Sequence, residues 1–434
     1  MRCLVTGAYG FIGQYVVRAM QQEGWVVVGA GRDLKLGRRL LPDIEWIGCD
    51  FNTDLDPETW RARLEGITAV ANCVGILQST VKDSADRIHR QGTIALFEAA
   101  AAADVRRLVH VSAMSAEANL SSSYATTKTA ADTYLEELDL NWLIIKPSLV
   151  IARGSYGGTS LMRGLAGLPY ILPIAGDGRQ RMQPIVVQDL ALGIARLAKI
   201  DKPVHTTLFA AGPDILTIEE IAGMYRHWLG FPDAVHVHVP HWLLRPVFWL
   251  GDIAGWLGNA TPMRSTSLKQ LQYDATADSN PFAEASGLTL QPLASFFSAN
   301  PATLQDRLHA RLYFLRPLLQ TVLALFWILT GLITFVPSAL ARAVDVLLVA
   351  GFSQGVASSL VIIGAAVDIV LGILFLLPDW VRVAGTLQLA LSASYLAVLT
   401  VTVPGLWLDP LGTLLKVLPI MAATALVMAL AEKR

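Results

Sequence analysis

Four long apolar stretches near the C-terminus constrain this 434-residue chain more than any other feature. Only seven residues between Leu318 and Ala431 are Asp, Glu, Lys or Arg, whereas the preceding part has nearly the charge content of a soluble protein. About 20 residues cross the hydrocarbon layer as a helix, and each stretch has close to that length. The sequence therefore predicts a four-helix membrane domain over residues 306–434, with spans at Leu318–Phe335, Val356–Leu377, Val383–Val403 and Leu411–Leu430.

The N-terminal part alternates short apolar runs with helical segments, beginning with Cys3–Thr6 and then Phe11–Gln21. Such alternation indicates a parallel sheet covered on both faces. Runs such as Trp25–Val28 and Leu143–Ile145 are apolar at every position, as buried parallel strands must be. We expect an α/β, Rossmann-like doubly wound domain over residues 1–150. A smaller region over residues 151–305, richer in Gly and Pro, would complete its cleft on the substrate side.

Charge and cysteine content exclude several other classes of protein. The formal net charge of −1 gives no reason to expect nucleic-acid binding. The cysteines Cys3, Cys49 and Cys73 lie in apolar surroundings and are interpreted as buried, reduced thiols. No metal site is predicted, because the loosely clustered histidines lack carboxylate or cysteine partners at ligand spacing; they are His205, His236, His238 and His241. The N-terminus also lacks the pattern of a signal peptide.

A glycine-rich turn lies between the first predicted strand and the first predicted helix. Its sequence runs from Gly7 through Gly10, Phe11 and Ile12 to Gly13. A glycine turn at a helix N-terminus offers close backbone approach, N–H groups and a favourable dipole to a phosphate. The motif therefore predicts dinucleotide binding, since it has the strand-before and helix-after context that such binding requires.

The end of the second strand predicts which dinucleotide is preferred. An acidic residue there would bind the ribose 2′-hydroxyl of NAD, whereas an arginine would pair with the 2′-phosphate of NADP. The sequence places Arg32 at this point and Asp33 directly after it. We expect NADP (NADPH) to be preferred over NAD; the alternative is that Arg32 is a solvated loop charge.

The chain resembles the short-chain dehydrogenase/reductase superfamily in its glycine spacing, in Asp50 after the third strand, in Asn72–Gly75 after the fourth, and in Tyr124 and Lys128. It is most similar to the atypical, extended branch that includes the accessory NAD(P)H-binding subunit of respiratory complex I. The C-terminal part looks like a DoxX-like membrane domain. The resemblance implies that Asp50 and Phe51 hold the adenine, that the segment of Cys73, Val74 and Gly75 lines the ribose, and that Pro147 flanks the nicotinamide.

A tyrosine and a lysine four residues apart are the candidate catalytic pair. On a helix Tyr124 and Lys128 share a face, so the ammonium would lower the pKa of the phenol and help it exchange a proton. Tyr124 would protonate the oxygen of a carbonyl that receives a hydride. Lys128 would also bind the nicotinamide ribose.

A hydroxyl at the preceding strand end should polarise the same carbonyl, and Ser112 or Ser115 could supply it. The chain departs from the pattern of the extended branch here. It has Ala113 where a second hydroxyl residue is usual, and His89 where an asparagine is often found. A retained fold in which Tyr124 merely packs on the cofactor is the alternative.

Two further features carry open interpretations. Trp242, Trp249 and Trp256 recur every seven residues, which suits either a helix lying on a bilayer or a buried packing face. Asp368 falls near the middle of its span and Lys416 near the start of the last one. A polar site for a quinone or lipid head group, or a structural hydrogen bond within the bundle, would explain an intramembrane carboxylate.

The positions of basic residues predict the orientation of the chain in the inner (cytoplasmic) membrane. Arg307, Arg311 and Arg316 precede the first span, and Lys433 and Arg434 follow the last. An even number of spans places both termini on one side, which the basic excess marks as cytoplasmic.

These features together predict a membrane-anchored NAD(P)H-dependent oxidoreductase. It would act on a carbonyl, enone or quinone group of a lipophilic molecule taken from the bilayer. The alternative is a non-catalytic NAD(P)H-binding or redox-sensing module of a membrane complex or homo-oligomer. Epimerase or dehydratase chemistry on a nucleotide sugar is less favoured, because nothing obvious in residues 151–300 would bind a diphosphate.

Overall fold

The computed structural model describes residues 1–103, 105–116, 122–199, 205–256, 258, 261–270 and 273–431. It divides into two compact units, Met1–Ala310 and Arg311–Arg434. In the described part of the chain the strands are β1 (Arg2–Thr6), β2 (Val26–Gly31), β3 (Glu45–Gly48), β4 (Ala69–Asn72), β5 (Arg107–Val111), β6 (Trp142–Pro147), β7 (Val150–Ile151), β8 (Ile171–Ala175), β9 (Arg181–Met182), β10 (Ile185–Val186), β11 (Thr206–Ala210), β12 (Leu216–Thr217) and β13 (Val235–Val239).

Helices connect most of these strands and make up the C-terminal unit. Those of the first unit are α1 (Gly13–Gln22), α2 (Leu34–Leu40), α3 (Glu58–Arg61), α4 (Gly92–Ala102), α5 (Ser123–Glu136), α6 (Gly158–Ala166), α7 (Val187–Leu197), α8 (Ile218–Trp228), α9 (His241–Trp256), α10 (Ser265–Gln270), α11 (Asn280–Ser286) and α12 (Leu293–Ala299). The remaining helices are α13 (Leu304–Thr334), α14 (Pro337–Val349), α15 (Gln354–Leu376), α16 (Val381–Thr402) and α17 (Val417–Leu430).

A seven-stranded parallel sheet is the centre of the first unit. Its strand order is β11-β6-β5-β4-β1-β2-β3. Strands β2 and β3 are added on one side of β1 and β4, β5 and β6 on the other, so the strand order reverses between β1 and β4. Adjacent residues of one strand face opposite cores: Cys3 and Val5 pack on one side, and Leu4 packs on the other. The predicted doubly wound Rossmann-like domain is confirmed. In such a sheet, ligands bind outside the carboxyl ends of the strands where the order reverses.

A second group of elements follows β6 within the same unit. Three two-stranded pairs form here, β7 with β10, β8 with β13, and β9 with β12. They surround a separate apolar core that includes Ile151, Leu172, Tyr225 and Phe296. This core is separate from the cores of the main sheet. Other elements that follow β6 return to the sheet: β11 is its edge strand and α7 packs in the same core as β1, so the sheet extends beyond the predicted boundary at residue 150.

Among the residues that the structure describes, three helices are long and apolar enough to cross a membrane: α13, which begins in the first unit, and α15 and α16 of the second. The fourth predicted span differs. Residues Asp409–Lys416 form turns that include Gly412 at φ +65°, so α17 has only 14 residues, about 21 Å at 1.5 Å per residue. That length is below the roughly 30 Å of a hydrocarbon core. Because sidedness depends on the number of crossings, the predicted orientation stays a prediction.

The two charges predicted to lie within membrane spans have different surroundings. Asp368 is in α15, and its buried Oδ1 accepts no hydrogen bond from the residues that the structure describes. The structural hydrogen bond considered as an alternative is therefore not found at that atom. Helix α16 passes close by, since a Cβ on Gly364 would lie 3.2 Å from the Tyr395 hydroxyl. Lys416 immediately precedes α17 rather than lying within an apolar helix.

Candidate functional site

The glycine turn between β1 and α1 has the close backbone packing that the sequence predicts. Gly7 has φ +65°, and its carbonyl accepts the Gly10 N–H at 2.8 Å. A Cβ added to Gly13, the first residue of α1, would lie 2.1 Å from the same carbonyl oxygen. Side chains are therefore excluded where the turn meets the helix N-terminus, which is the shape that a pyrophosphate needs.

The two apolar residues of the turn have different neighbours. Phe11 stacks on Tyr156, with ring centroids 5.9 Å apart and planes inclined by 22°. Ile12 packs against the sheet core beneath the turn. Phe11 thus forms part of an aromatic wall at the turn, whereas Ile12 fixes the helix start.

The end of β2 carries the charges that bear on cofactor choice. Arg32 pairs with Asp83, with Nη1 and Oδ1 2.5 Å apart. The Asp33 carboxylate accepts the Leu36 N–H at 2.9 Å and caps α2, while the Asp33 N–H donates to the Tyr9 hydroxyl. The Asp33 carboxylate is therefore already bound to the start of α2. Arg32 is the basic side chain that follows the strand.

Asp50 and Phe51, to which the resemblance assigns the adenine, lie just after β3. Asp50 is half-buried and its carboxylate accepts the Asn52 N–H at 2.9 Å. The Phe51 side chain is buried and packs edge-on against Trp60, with centroids 5.0 Å apart. The Phe51 ring thus belongs to the core, and its carbonyl lies against Gly92.

The end of β4 brings the backbone close to the candidate catalytic lysine. Asn72 is buried and its Oδ1 accepts the Val74 N–H, which fixes the start of the loop. A Cβ on Gly75 would lie 3.6 Å from Lys128 Nζ. Burial raises the pKa of the Cys73 thiol to about 12, so this cysteine is not a nucleophile at neutral pH.

Lys128 projects from α5 to the carboxyl ends of two adjacent strands. Its Nζ donates to the carbonyl of Val111 at 2.9 Å and to that of Val74 at 3.3 Å. The side chain is only 2% exposed, and burial lowers the pKa of its ammonium to about 8. These bonds hold the lysine where β4 and β5 end.

Tyr124 lies one helical turn before Lys128, as predicted, but its acidity is shifted in the opposite direction. Burial raises the pKa of the phenol to about 12, and the charge of Asp132 and the phenol of Tyr156 add to the shift. The expectation that Lys128 would lower this pKa is wrong, because its ammonium donates to backbone carbonyls and burial dominates. At neutral pH the phenol is protonated.

His89 is a site residue whose part the sequence left undefined. Its ring stands edge-on to Tyr124, with centroids 5.3 Å apart. Nε2 accepts the Ile76 N–H at 2.9 Å, so Nδ1 carries the proton and faces Thr127 Oγ1 at 3.0 Å. Burial and the charge of Lys128 lower the pKa of His89 to about 3, which keeps the ring neutral.

Ser112, one of the two serines expected to polarise the carbonyl, is hydrogen-bonded to another side chain. The Ser112 hydroxyl donates to Asp132 Oδ2 at 2.7 Å, and Lys146 Nζ lies 3.2 Å from the same oxygen. Ser115, the other serine considered, lies partly exposed in a 3₁₀ turn, Met114–Ala116. No signal in the sequence indicates the buried pair of Asp132 and Lys146, because the two residues are distant along the chain and meet only in the fold.

The remaining candidates complete the strand ends. Pro147 closes β6 and is buried, and the Ser148 N–H that follows donates to the Ala210 carbonyl. Of the clustered histidines, His236 and His238 both bind Glu219, at 2.6 and 3.2 Å. Within the described ranges, no group of three or more His, Cys, Asp or Glu side chains could hold a metal ion.

Comparison with known families matches two parts of the chain. Residues 3–207 match the NAD-dependent epimerase/dehydratase family, and residues 324–425 match the DoxX-like family. The fold is similar to that of UDP-glucuronic acid 4-epimerase from Bacillus cereus, solved with UDP-glucuronic acid and NAD. The TM-score is 0.52 at 18% identity, covering 73% of this chain and 100% of that one.

Two curated relatives are similar over the N-terminal part. The mitochondrial NADH-ubiquinone oxidoreductase 40 kDa subunit of Neurospora crassa is 25% identical over 255 residues, which is 58% of this chain and 66% of that protein. A ceramide reductase of Caulobacter vibrioides is 28% identical over 190 residues, which is 43% of this chain. The chain spans 66% and 57% of the lengths of these two relatives.

Proposed function

We propose that this chain, which joins a domain of the NAD-dependent epimerase/dehydratase family to a DoxX-like domain, is a membrane-anchored NAD(P)H-dependent reductase of a lipophilic carbonyl compound. One observation carries the proposal: Lys128 Nζ is fixed to the ends of β4 and β5, with Tyr124 one turn away on the same helix face. The cofactor fits this chain because Gly7, Gly10 and Gly13 form a tight turn in which added Cβ atoms would collide with neighbouring backbone, so that no side chain blocks the approach of its pyrophosphate to the start of α1.

The protonation of Tyr124 favours the reductive direction. When bound, NAD(P)H supplies a hydride to the carbonyl carbon. The phenol, protonated because its pKa is near 12, donates its proton to the carbonyl oxygen, so that an alcohol forms. Oxidation of an alcohol by the reverse route would need the phenolate, which is scarce at neutral pH, so its rate should rise with pH.

The neighbours of Tyr124 hold it in place for this transfer. His89 is neutral and packs edge-on against the ring, so it orients the phenol without competing for its proton. Lys128 would bind the nicotinamide ribose. Ser115 is assigned as the hydroxyl that polarises the carbonyl, because Ser112 already donates to Asp132.

A lipophilic substrate follows from the setting of the domain. The described part of the same chain includes three helices of membrane-spanning length, and one relative is named a ceramide reductase. A carbonyl on a bilayer lipid, or on another apolar compound dissolved there, is therefore the substrate class we assign. The N-terminal unit would lie on the cytoplasmic side of the inner membrane.

NADPH is the proposed cofactor. Arg32 stands at the end of β2, where a 2′-phosphate would lie, and Asp33 is withdrawn into the cap of α2. A carboxylate that already caps a helix is poorly placed to accept hydrogen bonds from the ribose hydroxyls of NAD. Asp83 would compete with the 2′-phosphate for Arg32 and moderate the preference.

The test uses the full chain in lipid nanodiscs supplied with NADPH and a bacterial lipid extract. Tyr124→Phe should abolish lipid-dependent NADPH oxidation while leaving NADPH binding intact. Tyr134→Phe is the matched control, because Tyr134 lies on the same helix and bonds Glu98. Equal turnover in wild type and Tyr124→Phe would refute the proposed proton donor.

A non-catalytic NAD(P)H-binding module of a membrane assembly is the second candidate. The similarity to a subunit of NADH-ubiquinone oxidoreductase favours it, as does the engagement of Ser112 by Asp132. Such a module would bind NADPH but show no lipid-dependent turnover under any condition. Its removal would instead destabilise a larger complex, which native mass spectrometry of solubilised membranes would detect.

A further inference from the structure

Helix α9 has two unlike faces. Its buried side consists of Phe248 and two glycines, Gly251 and Gly255. A Cβ on Gly251 would lie 1.6 Å from the Met263 carbonyl oxygen, and one on Gly255 would lie 2.7 Å from the Arg264 guanidinium. The side of α9 formed by the two glycines therefore packs directly against Met263 and Arg264, in the segment that follows the helix.

The opposite side of α9 is apolar and exposed to solvent. The three tryptophans at seven-residue intervals are among the most exposed large side chains of the unit: Trp242 is 66% exposed, Trp249 61% and Trp256 69%. At 100° per residue, the exposed apolar positions cover about half of the helix circumference. We call them the α9 surface: Trp242, Leu243, Pro246, Val247, Trp249, Leu250, Ile253 and Trp256.

Charged side chains stay at the edge of the α9 surface. Asp252 is held by Arg264 and by the Ser265 hydroxyl, on the side facing the protein. Arg245 is exposed at the same edge. In the strand that leads into α9, His236 and His238 bind Glu219, and the alternate residue Val235 is 69% exposed.

This arrangement is the reverse of an ordinary surface helix, which buries its apolar stripe and exposes its charges. An exposed apolar patch of this kind marks an interaction site. Tryptophan is enriched where a membrane changes from polar to apolar, because its ring is apolar and its N–H can still bind water or head groups.

We propose that the α9 surface inserts into the interfacial layer of the lipid bilayer in which the DoxX-like domain resides. The chain itself favours a bilayer over a protein partner, because three helices of spanning length keep the N-terminal unit tethered at a membrane. That tether replaces association from solution by a local encounter. Among the described residues of α9, Arg245 is the exposed cation at the edge of this surface, so the α9 surface should enter zwitterionic lipid without needing anionic head groups.

Of the two interpretations of the tryptophan spacing, the exposure of the three rings contradicts the buried packing face, and the helix lying on a bilayer is the proposed one. The proposal does not depend on reductase activity, since it concerns a surface and not the cleft. Binding of α9 to lipid would hold the unit in a fixed orientation, whether the unit is an enzyme or a cofactor-binding module.

Site-directed spin labelling of the full chain tests this surface. A nitroxide is attached to Trp249→Cys, and to Ile253→Cys as a second position, in phosphatidylcholine nanodiscs loaded with one chain each. Leu40→Cys is the matched control, since Leu40 is an apolar residue of α2 that is half exposed. Labelling of the unsubstituted chain measures any background from the native cysteines, of which Cys3 and Cys49 are buried.

The expected result is a label at residues 249 and 253 that is open to dissolved oxygen and protected from a water-soluble nickel complex. The label at residue 40 should show the opposite behaviour. A nickel complex that reaches residues 249 and 253 as readily as residue 40 would overturn the proposal. Protection from both reagents would also overturn it, because the surface would then be covered by protein and not by lipid.

Discussion

Replacement of Gly13 by alanine should weaken cofactor binding more than any other single methyl group added to the glycine turn. The added Cβ would lie 2.1 Å from the Gly7 carbonyl oxygen, against 2.9 Å for a Cβ at Gly10. The oxygen cannot move freely, because it accepts the Gly10 N–H at 2.8 Å. Either the turn opens or the start of α1 shifts away from it.

The magnitude follows from the size of that shift. Relief to an ordinary contact requires a displacement of about 1 Å within a packed backbone, and overpacking of this kind costs about 1–3 kcal/mol. If the whole cost falls on the cofactor-binding conformation, affinity drops about 5- to 150-fold, since 1.4 kcal/mol is tenfold. The Gly10→Ala variant should lose less.

Fluorescence energy transfer from tryptophan to bound NADPH, measured on the full chain in detergent, gives the affinity. Gly223→Ala is the matched control, because Gly223 lies inside α8 and a Cβ there meets nothing within 4 Å. That control should bind normally and be stabilised by about 1 kcal/mol, as expected for alanine over glycine in a helix. Unchanged NADPH affinity in Gly13→Ala would refute the role of the turn.

Three further predictions follow from the site. Arg32→Ala should weaken NADPH binding by about 1.5–3 kcal/mol and spare NADH, whereas Asp83→Asn should strengthen NADPH binding by releasing the guanidinium. Titration with both cofactors checks this, and equal losses for both would contradict it. Ser115→Ala should lower kcat more than Ser112→Ala, a ranking that steady-state turnover measures and the reverse order would oppose. Because the pKa of Lys128 falls from 10.5 unfolded to about 8 folded, the unfolded state binds more protons between these values. Stability should therefore rise with pH across that window by up to about 3 kcal/mol. Thermal unfolding should show this rise in wild type and its loss in Lys128→Met.

The features that the sequence predicts correctly are those encoded by residue type at a fixed local spacing. The turn at Gly7–Gly13 requires a positive φ at Gly7 and backbone contacts that leave no room for a Cβ atom. Glycine meets both requirements, so the glycine spacing in the sequence is enough to predict the turn. The pairing of Tyr124 with Lys128 on one helix face follows from the helical period alone. The long apolar runs likewise fix the positions of α13, α15 and α16.

Features that depend on distant residues could not be predicted in this way. Arg32 meets Asp83 across 51 positions, and Ser112 meets Asp132 across 20, so no spacing rule links them. The direction of the pKa shift of Tyr124 depends on how deeply the fold buries it. A helical pattern does not show how deeply a side chain is buried. Burial raises the pKa of Tyr124, whereas the sequence led us to expect that the Lys128 ammonium would lower it.

The helix in the last apolar stretch begins later than the sequence predicts, at Val417 instead of Leu411. A hydropathy pattern counts residues from Leu411 onward as one span, but Asp409 accepts the Leu411 N–H and Gly412 takes a left-handed conformation. These turn interactions delay the helix until Val417. Apolar composition gives the environment of a segment, whereas capping and turn chemistry decide where its helix begins.

The Tyr124 phenol is proposed to protonate a lipophilic carbonyl compound that NADPH reduces. The most direct measurement is transfer of deuterium from NADPH labelled at the nicotinamide C4 position, using each stereoisomer of the label in turn. Lipids from nanodisc reactions would be analysed by mass spectrometry. The account predicts one deuterium on a lipid alcohol with wild-type protein and with Tyr134→Phe, and none with Tyr124→Phe. Wild-type protein that transfers no deuterium from either isomer, while binding NADPH normally, would contradict it.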